Sequence, residues 1–469
     1  MSAPRVGIIG GGVLGTVLAL RLREAGAEVT VLERAATVGG LAGTMDFGGH
    51  TVDRFYHVIL PSDERMVQLA HEVGLGDQLR FNPVGAGFLA GGELHDFNGI
   101  GDFLRFAPLR PWQRARLAWF VAYCQLRSGY DGLEDVPLER WLRRHCGRGV
   151  VEQMWKPLLN TRFDSDWNEL PATYLWARTR RMSGARTGRG RGEEMGCIIG
   201  GHQRLFDALA AKARKHGVKF ELGAAVEGLA LAEDGRVEGV RVAGETARFD
   251  LVIPTLQPPA LRHLLPPKLD HLLAAYPQRF MGVVCLVLKV RRSLTPYYAV
   301  NICDPTPITT VVETSHVLGT EHTDGLRLIY VPKYCDPSAP EQDEDPQSLY
   351  DRFTAALARA VPSFSHDDVV EWTVQRSRLV EPVHAVGTKP RVAPVWPGVP
   401  GLALASASQV YPRLLNGESV VELAETVAAQ AVQRLGLSSG APPRAVPEVG
   451  IHSDESRVPE VVPCAAAPP

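Results

Sequence analysis

The chain has 469 residues, too many for one ordinary hydrophobic core, so two domains or more are expected. Its 50 basic and 52 acidic residues nearly cancel, to a formal charge of −2, which argues against a nucleic-acid-binding protein. Seven scattered cysteines with no C-x-x-C pair argue against a disulfide framework or a zinc site, and no run of about 18 uncharged apolar residues reads as a spanning helix.

The first strand is expected almost at the start. Val6 to Ile9 is apolar and runs into Gly10-Gly11-Gly12. A helix pattern follows through Leu14, Val17, Leu18 and Leu22, stops at Gly26, and Val29 to Leu32 makes a second strand ending in Glu33. This predicts a βαβ unit carrying G-x-G-x-x-G at Gly10, Gly12 and Gly15. Gly10 permits the tight turn, Gly12 lets the backbone approach a pyrophosphate, and Gly15 lets the helix pack closely. The helix start, with Val13 and Leu14, offers N–H groups and partial positive charge to a diphosphate. Glu33 stands where a carboxylate accepts hydrogen bonds from ribose hydroxyls. A βαβ unit with a glycine-rich turn and no ligand is the plain alternative. With the early strand no signal peptide is expected, and the reading is a soluble cytoplasmic protein.

Arg34 follows, then Thr37-Val38-Gly39-Gly40-Leu41-Ala42-Gly43, a loop suited to folding back across a cofactor. Together the two glycine motifs resemble the flavoprotein superfamily of protoporphyrinogen oxidase, the flavin amine oxidases, phytoene desaturase and UDP-galactopyranose mutase. The resemblance implies an α/β fold: a discontinuous Rossmann-like FAD-binding domain with an inserted α+β substrate domain. On this reading residues 1–80, 196–258 and 390–437 bind FAD. Residues 81–195 and 259–389 form the substrate domain, helical part first and sheet part second. Gly10, Gly12, Gly15 and Glu33 would hold the ADP half, supported by Arg34, Gly40, Leu41 and, through its backbone, Val226.

The stretch Val52-Asp53-Arg54-Phe55-Tyr56-His57 is strand-like and carries an arginine, a tyrosine and a histidine within four positions. It is similar to the mutase element in which histidines line the flavin, without that element's Gly-Pro. Arg54, Tyr56 and His57 are therefore the catalytic candidates, His57 for proton transfer; a structural histidine is the alternative.

Gly85 to Phe97 predicts a hairpin turning at Gly91-Gly92, and residues from 103 onward turn helical. Leu117 to Cys124 is strongly apolar between Arg114, Arg116 and Arg127. A core helix is the bland reading, and weak peripheral membrane contact is the sharper one, suggested by the resemblance. Met154 to Phe163 looks like a wall or lid of the family's substrate cavity. Six arginines from Arg178 to Arg191 read as a solvated mobile loop or, more sharply, as a clamp for an anionic substrate.

The cofactor fold is expected to resume at Gly200-Gly201-His202, with a helix through Leu205 and Leu209, a strand at 218–222, a hairpin over 226–242 and a buried strand at 251–255. Further strands are expected at 281–290, 311–313, 326–331 and 369–380. The last cofactor strand, from Gly401, carries Ser406-Ala407 where the superfamily has Gly-Asp; Gln409 or Ser408 would substitute toward the ribityl chain, and Asn416-Gly417-Glu418-Ser419 at the following helix start would donate N–H groups to the flavin pyrimidine edge. Residues 438–469 read as a disordered tail.

No second G-x-G-x-x-G is present, and no cysteine or histidine lies between Pro397 and Gly436, so one non-covalently held FAD is expected. The amine-oxidase lysine has no match in the apolar Val284-Cys285-Leu286; Lys289 comes a few residues late. The expected function is two-electron oxidation of a small or hydrophobic substrate, with a redox-neutral sugar-nucleotide mutase as the alternative. The expected partner is a small molecule and not nucleic acid; oligomeric state stays open.

Overall fold

The computed structural model describes residues 2–438, apart from 97, 99–101, 103–104, 185–192, 278 and 389–391. In chain order the elements are β1 (Arg5–Ile9), α1 (Val13–Glu24), β2 (Glu28–Glu33), β3 (Thr44–Phe47), β4 (His50–Asp53), α2 (Glu64–Glu72), β5 (Leu79–Val84), β6 (Ala86–Ala90) and β7 (Glu93–Asp96). The longer helices that follow among the described residues are α3 (Pro111–Leu126), α4 (Leu138–His145), α5 (Lys156–Phe163) and α6 (Thr173–Gly184). Next come β8 (Glu193–Ile198), α7 (Gln203–Lys215), β9 (Lys219–Leu222), β10 (Val226–Leu231), β11 (Val237–Val242), β12 (Glu245–Arg248) and β13 (Leu251–Pro254). The remainder holds β14 (Arg279–Val290), β15 (Ala299–Ile302), β16 (Thr310–Glu313), β17 (Arg327–Cys335), α8 (Pro346–Ala360), β18 (Val369–Val383) and α9 (Gly417–Arg434).

The first motif sits on a parallel sheet in the order β13-β1-β2-β9. Ile8 stands opposite Ile253 on one side and Val31 on the other. Parallel neighbours need a crossover, and α1 supplies it between β1 and β2. The sequence pattern predicts one apolar face for α1, but Leu14 to Leu20 and Leu22 are all buried. The reason is that α7 and α9 enclose its outer side, with Phe206, Leu209, Ala424 and Val427 in the same core. The opposite face of the sheet is covered by the antiparallel β10-β11-β12, where Leu229, Val237 and Val240 pack on Ile9, Leu32 and Val252. The sequence pattern predicts only the first two of those three strands; a turn at Gly244 adds the third.

An ion cluster ties α1, α2 and α7 together. Arg21 grips Glu72 with two bonds of 2.9 and 2.7 Å, and Lys212 adds a third at 2.7 Å. Burial pushes the Glu72 carboxyl up, but Arg21 and Lys212 outweigh it and hold the pKa down at about 2. A depressed carboxyl contributes stability above its unfolded value, and that contribution is lost as pH falls through the folded one. Unfolding titrations are therefore expected to show loss of about 1–2 kcal/mol between roughly pH 4.5 and pH 2, discounted for the cluster's partial exposure. A Glu72→Gln variant should lack that step; an unchanged acid limb would refute the assignment.

The second body is a mixed sheet in the order β18-β14-β17-β16-β15-β6-β7. β14 is its spine, antiparallel to β17 and β18. Its side chains alternate between two buried faces. Val284, Leu286, Leu288 and Val290 pack on Leu349 and Phe353 of α8. Val283, Cys285 and Val287 face the other way, covered by Phe47, Val52, Phe55 and Leu60. That packing presses residues 52–57 against the substrate sheet; the expected strand ends at Asp53, and a bend at Arg54 and Phe55 follows it. The predicted hairpin is β6–β7, and it extends this sheet through a parallel pairing of β6 with β15. A helical core, with Phe120, Trp141, Met154 and Leu175, completes the second body.

The arginine run divides. Helix α6 reaches Gly184, so Arg178, Arg180 and Arg181 belong to a helix and not to a mobile loop. Arg186, Arg189 and Arg191, and the predicted tail beyond 438, lie outside the described residues. Among the described residues no helix is long and apolar enough to cross a membrane.

Candidate active site

The glycine turn is built as a cradle. Gly10 has φ +109°, a conformation that only glycine takes readily. A Cβ on Gly15 would stand 2.0 Å from the Gly10 carbonyl oxygen, so this glycine sets how closely α1 meets β1. A Cβ on Gly12 would meet no protein atom within 4 Å. Gly12 precedes α1, and no side chain caps that helix; Val13 and Leu14 begin it. Gly39 bridges Gly12, and its N–H donates to the Gly11 carbonyl at 2.9 Å. Gln203 holds this second glycine loop from α7, donating to Val38 O at 3.1 Å. Arg34, Gly40 and Leu41 lie exposed along its rim.

Glu33 ends β2 with its carboxylate accepting from Gly11 N at 2.6 Å and Ala35 N at 2.8 Å. Two backbone donors fix its direction and leave carboxylate lone pairs for ribose hydroxyls. The Glu33 carbonyl also accepts from Ala224 N at 2.9 Å, which brings Val226, two residues on, to the same end of the sheet. An open glycine cradle, an uncapped helix start and an oriented acid suit the ADP half of a dinucleotide.

The three catalytic candidates do not converge. Arg54 reaches β18, with Nε donating to Gln375 at 3.2 Å. Tyr56 turns toward the helical part. Its hydroxyl lies 3.5 Å from that of Tyr334, whose ring carries the Arg162 guanidinium at 4.3 Å. Burial, then Tyr334, raises the Tyr56 phenol well above its ordinary value, so it stays protonated. His57 turns the other way, past the bend at Arg54 and Phe55 that follows β4. Its ring lies 5.7 Å from that of His202, and its Nδ1 is buried without a partner. Burial, then His202, pushes the His57 imidazole down and keeps it neutral. His202 is itself held by Asp53, through Nδ1 at 2.8 Å and its backbone N–H at 3.1 Å.

At the C-terminal segment the assignments change. Gln409 spends its amide on the chain, accepting from Ser406 N at 2.7 Å and donating to Ala393 O at 2.9 Å. It stabilises the turn that replaces Gly-Asp and does not present itself to a ribityl chain. Ser408 instead bonds Gln257. Asn416 and Ser419 form a reciprocal cap, Ser419 N to Asn416 Oδ1 at 3.0 Å and Asn416 N to Ser419 Oγ at 3.1 Å. Their side chains serve α9, so what this helix start offers a flavin is backbone N–H and dipole.

A cavity lies between α6, the end of β18 and residues 410–415. Phe163, Leu170, Pro382 and Leu414 give it an apolar wall, with Tyr174, Glu381 and His384 among the polar residues. Glu381 accepts from Arg162 Nε at 3.0 Å, which links this cavity to Tyr334 and Tyr56. His384 packs on Tyr411 with ring centroids 4.9 Å apart. The sequence reading placed Arg162 and Phe163 in a cavity wall but missed Glu381 and His384; the Arg162–Glu381 pair, 219 residues apart, leaves no local pattern. Of the arginine run, Arg181 is locked to Asp63 at 2.9 Å and Arg180 donates to Arg127 O at 2.7 Å. Neither is an open anion clamp. Lys289 points away from this cavity, to Gly48 O at 3.4 Å and His50 at 2.9 Å.

The pattern of the family described as flavin containing amine oxidoreductase matches residues 15–413. The chain belongs to the flavin-containing amine oxidoreductases. Among curated relatives, a probable zeta-carotene desaturase of Synechococcus elongatus is 26% identical over 177 residues, 33% of this chain and 37% of that one. The chain thus spans little more than a third of that relative. Among solved structures, a putative protoporphyrinogen oxidase of an Exiguobacterium species superposes with a TM-score of 0.71 at 20% identity, over 92% of this chain and all of that one. Reduced UDP-galactopyranose mutase superposes at 0.70 and 15% identity, over 94% and 97%. These likenesses show a shared fold.

Proposed function

We propose that this oxidoreductase holds FAD non-covalently and uses it for two-electron oxidation, by dehydrogenation or desaturation, of a small or hydrophobic substrate. The observation that carries this reading is the apolar cavity at residues 410–415, immediately before the α9 start that would face the flavin. Gly10, Gly12, Val13, Leu14 and Gly15 receive the diphosphate, and Glu33 the adenosine ribose. Bound flavin supplies the acceptor for two electrons. The chain orients the substrate and excludes water with Phe163, Leu170 and Leu414. Tyr56, linked to this cavity through Tyr334, Arg162 and Glu381, keeps its proton for hydrogen-bond donation, whereas His57 lines a separate hollow beside His202. The mutase alternative leaned on Tyr56 acting beside His57 and on the arginine run; the two rings diverge, and Arg180 and Arg181 are bound internally. The six described cysteines are free, which fits a reducing compartment, the cytoplasm.

The test is a spectrum of the purified protein followed by photoreduction. Flavin absorbance with FAD released on denaturation is expected, as is reoxidation by quinone or air. A colourless protein that takes up no FAD would sink the reading. Glu33→Ala should weaken FAD by about 2 kcal/mol, roughly thirtyfold, because hydrogen bonds to a carboxylate are lost. Full FAD occupancy in that variant would refute the ribose assignment.

The same reading includes a weak peripheral contact with anionic bilayers through α3. Its inner face, Leu117, Phe120 and Cys124, is buried in the helical core, as the bland reading expects. Its outer face exposes Trp112 at 53%, Trp119 at 61% and Leu126 at 81%. These lie seven residues apart, two helical turns each, so they share one face. Arg110, Arg116 and Arg127 flank the stripe, the arrangement that anionic interfaces attract. Co-sedimentation with phosphatidylglycerol vesicles should exceed that with phosphatidylcholine alone, and a Trp112→Glu, Trp119→Glu double variant should lose most of it. Equal sedimentation of variant and parent would overturn the contact.

A further inference from the structure

We infer that the cavity between α6, the end of β18 and residues 410–415 selects an electrically neutral, mostly apolar molecule and holds its one polar group by a hydrogen bond to His384. The inference rests on the reading of this cavity as the substrate site and narrows the substrate class.

Charge balance is the first argument. The cavity's lining includes two charged residues, Glu381 and Arg413. Glu381 is paired with Arg162 at 3.0 Å, and the Glu381 side chain is only 12% exposed. Arg413 is paired with Glu422. Each charge in the described wall therefore already has its counter-charge. An ammonium entering here finds no free carboxylate, and a carboxylate finds no free guanidinium. Either ion would lose its hydration with nothing to replace it, whereas a neutral apolar body loses little.

The second argument is His384. Both its ring nitrogens are buried, and neither has a hydrogen-bond partner. Buried polar groups in native proteins are almost always paired. An imidazole with both nitrogens unpaired inside a cavity wall is a group waiting for a partner from the cavity. Burial pushes its pKa down to about 4, so the ring is neutral and offers one donor and one acceptor. That pair matches a hydroxyl or carbonyl and gives nothing extra to an ion. The Tyr411 ring against one side of the imidazole limits its rotation, and Phe163, Leu170 and Leu414 supply the apolar length.

The experiment uses the full-length, flavin-loaded protein and three chain-matched probes, 1-decanol, decylamine and decanoate, titrated below micelle formation by calorimetry. Decanol should bind at least roughly tenfold tighter than either ion. His384→Phe should weaken decanol about tenfold, the worth of one hydrogen bond in a dry site, and His384→Gln should retain it within about threefold. Glu381→Gln uncovers Arg162 and should raise decanoate affinity about tenfold, with thermal unfolding run alongside to verify the fold. Decylamine or decanoate binding the parent more tightly than decanol would overturn the inference, as would a folded His384→Phe protein that binds decanol unchanged. Either result leaves the flavin reading standing if flavin absorbance is present. A protein without flavin sinks that reading and takes the inference with it.

Discussion

Gly15→Ala is expected to cost about 3 kcal/mol of stability and most of the FAD binding, whereas Gly12→Ala should leave stability unchanged and still lose FAD. The two glycines belong to one motif, but the space beside them differs. At Gly15 a Cβ would stand 2.0 Å from the Gly10 carbonyl oxygen, 3.2 Å from its carbon and 3.2 Å from Thr255 Oγ1. The first two are backbone atoms of the turn and cannot swing aside. Helix α1 must lift from β1, and its buried residues, Val17, Leu18 and Leu22 among them, must repack against α7 and α9. Overpacking of this kind costs about 1–3 kcal/mol, and more where backbone is the obstacle. At Gly12 no protein atom lies within 4 Å of the added methyl, so the fold absorbs it. The methyl instead occupies the side from which a diphosphate approaches the helix start, and FAD affinity should drop at least a hundredfold, about 2.8 kcal/mol. Urea unfolding and FAD titration of both variants separate the effects. A Gly12→Ala protein that binds FAD normally would remove the diphosphate from this turn. A Gly15→Ala protein of parental stability would contradict the packing argument.

What the sequence made legible follows from how far each signal reaches along the chain. The βαβ unit was readable because its strand, turn, helix and acid are local and each leaves a pattern within about thirty residues. The alternating faces of β14 were half readable. The apolar run announced burial, but only the fold tells which residues meet α8 and which meet residues 47–60. Tyr56 and His57 stand out as neighbours in the sequence, yet in the fold they part beyond the bend after β4, one to Tyr334 and the other to His202. The Arg162–Glu381 and Asp53–His202 pairs join residues far apart in sequence, and no local periodicity encodes such a meeting. The side chains of Gln409, Asn416 and Ser419 are ambiguous in the sequence for a different reason. Polar residues at a turn and a helix start suit a ligand and a cap equally well, and here the chain uses them as caps.

Lys289→Met is expected to destabilise the protein by about 2–4 kcal/mol while leaving the turnover of each folded molecule close to that of the parent. Lysine on the long strand of the substrate sheet invites a role beside the flavin, and the structure gives it another. Lys289 is 1% exposed. Its ammonium donates to the Phe47 carbonyl, lies 3.2 Å from Glu371 and 2.9 Å from His50 Nδ1, and stands over the Phe47 ring at 4.6 Å. Because His50 Nδ1 must accept from the ammonium, its Nε2 carries the proton and donates to Asp324 at 3.1 Å. One buried cation thus fastens the β3–β4 turn of the cofactor side to β14 and β18 of the substrate sheet. Methionine keeps the volume but leaves the Phe47 carbonyl and the His50 nitrogen without a donor, and unpaired buried groups cost about 1–3 kcal/mol each. Glu371, 38% exposed, can turn to water and adds little. Denaturant midpoints and turnover normalised to bound flavin read the two effects separately. A stable variant that has lost turnover would restore the catalytic lysine. An unstable variant with normal turnover per flavin places Lys289 among the residues that hold the two bodies in register, so that Asp53 to His57, just beyond this turn, reach both sides of the site.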